Sequence, residues 1–476
     1  MTVDVHAGIM ERGLKLFSLI EQVRGVPSDE EMEGLLRLLP EDSRENLTAM
    51  LAPDLREVGL VFLEMIKEWM FAARDARGQG KKVVLVPFNF PPDLVHAFDR
   101  AVPLTTEVLT TVASLALPGG AARYWDYIQS LGLPDHICSS NSVDVASMLT
   151  GKDLLPDAII SAAPGACDAN AKVHEFLSQY QGIPQFLLEK PVDDTLEGRA
   201  LYRKYFRTLI HQLEELTAET LDPDRLRAVV RRCNRCTELY WELFEYRKMR
   251  PCPVPNMFNL FLAPLRFCMW GTESGIRTLE AMLDTARRRH EGGRYPATEE
   301  RCRVLWAYTS YYFNVSELHD WMGRQGWTFL ADVLSLYLPQ PIDTSTVDTM
   351  IDGLATAAWE YPMNRQMGTS SMSRAWVSDM VWAAREMGAD CVVHCGHDAC
   401  KQTWSVVSIL GEELMSQAQV PLLVLHGDSW LKTTTPITVI QQEMEEFIGN
   451  VVLGKKRTRR KVRRRRPGVG APDPAA

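Results

Sequence analysis

Gly388-Ala-Asp-Cys-Val-Val-His-Cys-Gly-His-Asp-Ala-Cys-Lys-Gln402 is the stretch that decides how this chain is read. Residues 391–394 form a short apolar run, the pattern of a strand buried on both faces. The run breaks at Gly396, and Cys400 stands just before a helical pattern over 402–417. A cysteine in such a strand-to-helix loop can face a ligand or a metal instead of the core. Two upstream cysteines occupy similar places. Asp135-His-Ile-Cys138 leads into a helical pattern over 141–149. Ala163-Pro-Gly-Ala-Cys167 follows an apolar run at 158–161 and precedes a helix over 169–179.

Working outward, short apolar runs alternate with helical patterns on both sides of a helical middle. In the first half the strands are expected at 82–87, 102–104, 158–161 and 185–189. In the second they are expected at 303–307, 327–333, 391–394 and 421–425. In each half a small-residue turn with a cysteine and a helix lead to a strand that begins after Ile183-Pro184 or Val420-Pro421. Strand–helix alternation predicts parallel sheets with right-handed crossovers. Such sheets bind ligands at the carboxyl ends of their strands, where these cysteines lie. The fold class is therefore α/β: two doubly wound, mainly parallel-sheet domains with an N-terminal helical region and a helical connection. The expected divisions are 1–80 (helical), 81–196 (first α/β domain), 197–300 (helical connection), 301–453 (second α/β domain) and 454–476 (tail). Ser28-Asp-Glu-Glu31 has capping-box spacing, and Leu221-Asp-Pro-Asp224 divides two long helices of the connection.

With 476 residues the chain exceeds one compact core. No signal peptide and no run of about 18 apolar residues is present, which predicts a cytoplasmic protein without a membrane span. Ten cysteines in that setting are thiols or metal ligands, not a disulfide framework. The net charge of −9 hides an asymmetry. Residues 455–466 carry ten basic side chains in twelve positions, and removing those charges leaves about −19 on the rest. An acidic body argues against a general nucleic-acid binder. The basic segment and its Pro/Gly/Ala-rich end read as a solvated extension, with RNA, an acidic partner or the body itself as the other contacts open to it.

No dinucleotide-binding glycine fingerprint, P-loop or Gly-x-Ser-x-Gly elbow occurs. Cys233-Asn-Arg-Cys236 falls inside a continuous helical pattern over 224–249, which favours a core role over a metal one. Cys252, Cys268 and Cys302 show no partner pattern, Cys391 belongs to its strand, and Cys395 is a spare thiol or a ligand. His394 and His397 read as structural or supporting side chains, with a metal-ligand reading open beside that one. Ser139, Ser140 and Ser142 are placed to cap the following helix or to donate hydrogen bonds into a site. From spacing alone, Cys138, Cys167 and Cys400 are either buried small hydrophobes or ligands of one iron–sulfur site.

Taken together, Pro134-Asp-His-Ile-Cys-Ser139, Ala166-Cys-Asp168, Cys233-Asn-Arg-Cys-Thr-Glu-Leu239, Ala399-Cys-Lys-Gln402 and Val420-Pro-Leu-Leu-Val-Leu-His-Gly-Asp428 resemble one family. It unites 2-hydroxyacyl-CoA dehydratases with class I benzoyl-CoA reductases, and the resemblance is to their cluster-carrying catalytic subunits over about residues 80–452. It implies a [4Fe–4S] cluster held by Cys138, Cys167 and Cys400. It implies a sister α/β subunit, an ATP-dependent iron–sulfur activator protein and an acyl-CoA substrate. The implied chemistry is loss of water from a 2-hydroxyacyl-CoA through a ketyl radical. The family also holds benzoyl-CoA-reductase-type and double-cubane-type reductases, and a non-catalytic scaffold subunit is a third reading. Asp93 stands where the family often has Glu in a Pro-x-Glu-Leu element, which together with Ser139 gives the two catalytic candidates.

Overall fold

The computed structural model describes residues 8–454, apart from 21–24, 118, 152, 164–166, 296–298 and 366–370. The basic tail expected at 454–476 falls, from 455 on, outside the described residues.

Two four-stranded sheets carry the fold, and every strand pair in them is parallel. The first holds β1 (Lys82–Leu85), β2 (Ala101–Leu104), β3 (Ala158–Ala163) and β4 (Gln185–Glu189) in the order β2-β1-β3-β4. The second holds β5 (Cys302–Trp306), β6 (Trp327–Ala331), β7 (Cys391–His394) and β8 (Leu422–Val424) in the order β6-β5-β7-β8. The two halves thus share one winding. In each, the chain runs to one side after the first strand and returns to the other side for the third. That reversal opens a crevice at the carboxyl ends of β1 and β3, and of β5 and β7. β2, β5, β6 and β7 are buried throughout, as covered parallel strands require. The edge strands β4 and β8 are largely half-buried or exposed.

Between the sheets run two long helices, Leu196–Thr217 and Pro223–Lys248. The second starts where the sequence predicts, because the Asp222 carboxylate accepts from the Asp224 and Arg225 amides at 2.8 Å and Pro223 fits the first helical position. Cys233 and Cys236 are buried within it, in the core role expected of them. The capping box at Ser28 also forms.

Two helical segments escape the sequence reading. Thr106–Ala116 is rich in Thr and Val, which weakens its helical signal, yet it packs almost wholly buried. Phe258–Pro264, continued by a π-helix at Leu265–Met269, is buried on every side, so no amphipathic period marks it. The helix expected at 402–417 is three pieces: Lys401–Trp404, Val407–Glu413 and a π-helix at Leu414–Ala418. Among the described residues no helix is long and apolar enough to cross a membrane.

Candidate active site

The site forms where the carboxyl ends of the two sheets face each other. Cys138 precedes the helix Ser139–Leu149 and Cys167 precedes Asp168–Gln181, just past β3. Cys400 precedes Lys401–Trp404, in the second-half position that matches Cys167. The turn leading to Cys400 depends on Gly396. Its φ is +63°, and a Cβ there would lie 1.6 Å from the Leu425 carbonyl oxygen.

The three sulfurs lie close enough to influence one another. Burial pushes the Cys138 thiol well up, and Cys167, Asp428 and Cys400 push it further. Burial likewise raises Cys167 despite the Asn170 amide, which donates to its sulfur at 3.3 Å. Tyr308, past the end of β5, faces the same group. Its phenol is held un-ionised first by burial and then by Cys400, Cys138 and Cys167. Positive charge arriving with a ligand would offset the burial that keeps the Cys138 and Cys167 thiols protonated. Among the described residues no three His, Cys, Asp or Glu side chains converge tightly enough for a single metal ion.

Both halves fasten this junction. Nε2 of His397 lies 3.2 Å from Cys138 Sγ. The Ser429 amide donates to Nδ1 at 3.3 Å, which leaves Nε2 to donate toward the sulfur. The Ser139 hydroxyl lies 2.8 Å from both carboxylate oxygens of Asp428, which also accepts from the Trp430 and Leu431 amides. Ser139 is therefore a cross-half tether. Cys395 turns away toward Thr309 and Ser429, at 3.2 and 3.5 Å. His394 accepts from the Gly396 amide at Nδ1, a structural use.

Glu107 was not singled out in the sequence, and it stands in this cavity. It is buried, and its carboxylate accepts from Asn141 at 2.9 Å, Asn170 at 2.7 Å and Thr106 at 3.1 Å. Asn141 Oδ1 in turn lies 3.2 Å from Cys167 Sγ. Burial lifts the Glu107 carboxyl to about 7. One signal was available: Glu107 is the sole charged residue between positions 101 and 122. The walls of the cavity it shares with Cys138 and Cys167 include Phe88, Leu260, Phe267, Tyr308, Tyr312 and Trp430, with Thr111, Ser140 and Thr309 among them, and its void is about 30 Å³. That is room for about one water, so side chains must yield before an acyl group enters.

Asp93 is elsewhere. It lines a different cavity, paired with Arg266 at 3.4 Å, so the two catalytic candidates of the sequence reading do not share a site.

Comparison with known proteins adds a family. The family model described as 2-hydroxyglutaryl-CoA dehydratase, D-component, matches residues 87–448. The chain is 23% identical over 245 residues to the (R)-phenyllactyl-CoA dehydratase alpha subunit of Clostridium sporogenes, covering 49% of this chain and 59% of that subunit. It is 25% identical over 111 residues to the (R)-2-hydroxyglutaryl-CoA dehydratase, subunit alpha, of Acidaminococcus fermentans, covering 22% of this chain and 23% of that one. Each match thus spans less than two thirds of the relative's length.

Proposed function

The chain belongs to the 2-hydroxyglutaryl-CoA dehydratase D-component family, and from that membership we propose that it is the cluster-carrying subunit of a 2-hydroxyacyl-CoA dehydratase. The observation that carries the reading is the meeting of Cys138, Cys167 and Cys400, drawn from both halves, beside a carboxyl that titrates near 7. The donor set fits a [4Fe–4S] cluster. Three soft sulfurs would bind three irons, and Cys395, the nearest further thiol in the sequence, is engaged by hydroxyls. When bound, the cluster would supply one low-potential electron and a Lewis-acidic iron.

The chain's own residues then do the rest. Phe88, Phe267, Tyr312 and Trp430 exclude water from the thioester and the radical it becomes. Glu107, poised near neutrality, gives its carboxyl proton to the 2-hydroxyl, which departs as water, and the resulting carboxylate recovers a proton from the neighbouring carbon of the substrate. Asn141 and Asn170 fix the direction of that carboxylate. His397 steadies the Cys138 sulfur, and Ser139 with Asp428 keeps the two halves in register. The aromatic and aliphatic walls favour an apolar acyl group over one ending in a carboxylate.

In this reading the chain pairs with a sister subunit of like fold and receives its electron from an ATP-dependent iron–sulfur activator. The test is turnover, anaerobically, of the chain combined with such a subunit and activator and with ATP. Dehydration of (R)-phenyllactyl-CoA, faster than that of (R)-2-hydroxyglutaryl-CoA, is expected. A cluster-loaded assembly that dehydrates neither, while the activator still hydrolyses ATP, contradicts the assignment.

A further inference from the structure

A second cavity, of about 370 Å³, lies on the other side of the π-helix Leu265–Met269. Consecutive residues of that π-helix separate the two spaces: Phe267 lines the cysteine cavity and Arg266 lines this one. The Thr105 hydroxyl on the Phe267 carbonyl and the His96 ring on the Cys268 carbonyl hold the partition in place.

Arg266 is only 4% exposed. Its guanidinium packs over Tyr361 at 4.3 Å, Trp270 at 4.7 Å and Tyr337 at 5.8 Å. Among the described residues its one ion-pair partner is Asp93, at a long 3.4 Å from Nη1, and its buried Nε–H makes no hydrogen bond. A buried guanidinium normally has its donors satisfied, because each one stripped of water without a partner destabilises the fold. Here the rings cover its faces and its Nε is sealed from the cavity, which leaves the Nη edge beside Asp93 to donate. A planar N–H edge is complementary to the two oxygens of a carboxylate. Burial raises the Asp93 carboxyl above the ordinary carboxylate range, and the Arg266 guanidinium beside it opposes that shift. The mouth carries Asp343, Asp352 and Glu360. Asp352 is paired with Arg207 and Glu360 with Arg199 and Arg365, so phosphate is tested beside benzoate to separate a carboxylate site from a general anion site.

We propose that this cavity is a binding site for a small monocarboxylate, held by the edge of Arg266 among Trp270, Tyr337 and Tyr361. The site shares no lining residue with the cysteine cavity, and its occupancy does not depend on a cluster being present.

The experiment is isothermal titration calorimetry of the full chain with benzoate, with its neutral isostere benzamide, and with inorganic phosphate. Saturable binding of one benzoate per chain is expected, with no binding of benzamide or phosphate. Arg266→Lys, which keeps the charge but not the planar edge, should weaken benzoate about tenfold or more. Thr356→Trp fills the exposed mouth without touching Arg266, so it should abolish binding in a folded protein. Benzoate failing to bind the native chain overturns the proposal. So does phosphate binding as well as benzoate, or native affinity in Thr356→Trp. Because the measurement is made on iron-loaded and iron-free chain alike, its failure is separate from failure of the dehydratase reading.

Discussion

Nε2 of His397 sits 3.2 Å from the sulfur of Cys138, although 259 residues separate them. The contact joins the helix start at Cys138 in one half to the turn that carries Cys400 in the other. A ring donating to a ligating sulfur tunes the ligand without holding the metal. His397→Ala is therefore expected to keep its iron and lose about 10–100-fold in dehydratase activity. Iron analysis beside turnover checks this, and loss of all iron with a native fold would make His397 a ligand in place of a support.

Glu107 links stability to pH. Its carboxyl titrates near 4.5 when unfolded and at about 7 when folded, because burial disfavours the charge. A raised folded value means stabilisation that is complete below the unfolded value and is lost as pH rises through about 7. The difference is on the order of 3 kcal/mol. Glu107→Gln should therefore unfold at a higher temperature than the native chain above about pH 8, with the gap closing toward about pH 5. The same substitution should remove the limb near neutrality from the pH–rate profile. A gap that is constant across pH would show that Glu107 is ionised throughout.

Gly396 is a backbone requirement. With φ at +63° and the Leu425 carbonyl 1.6 Å from any added Cβ, alanine forces the turn before Cys400 to move. Gly396→Ala should cost more than about 1–3 kcal/mol, the usual strain of such a conformation, because a backbone clash adds to it. Thermal unfolding measures the loss, and an unchanged midpoint would mean the turn is not as described.

Asp93 and Arg266 form a buried pair, 2% and 4% exposed. Replacing Asp93 by Ala strands the guanidinium and should destabilise by about 3–5 kcal/mol. Urea unfolding of Asp93→Ala and of the double replacement Asp93→Ala, Arg266→Met checks this, with the double replacement the more stable of the two.

The sequence disclosed much of this through local chemistry. Strands such as 391–394 are apolar because both faces are covered, and the Ser28 capping box follows from short-range hydrogen bonding. The equivalent placing of Cys167 and Cys400 was readable for the same reason: each follows a strand and opens a helix. What stayed hidden depends on distance along the chain or on burial. Thr106–Ala116 carries β-branched residues that weaken a helix in isolation, so Glu107 had no element to stand on. Phe258–Met269 is apolar all round, which erased its period and with it the place of Arg266. The meeting of Ser139 with Asp428, 289 residues apart, has no local signature, so the sequence could not show that this hydroxyl ties the two halves together.

In the proposed function Cys138, Cys167 and Cys400 together hold one cluster. Anaerobic purification followed by iron and sulfide analysis and electron paramagnetic resonance tests it most directly. About four irons per chain are expected, with the signal of a reduced [4Fe–4S] cluster. Alanine at Cys138, Cys167 or Cys400 should abolish both, and alanine at Cys233 or Cys236 should leave them. A folded native chain without iron, or a cluster that survives in the first three variants, would contradict the account.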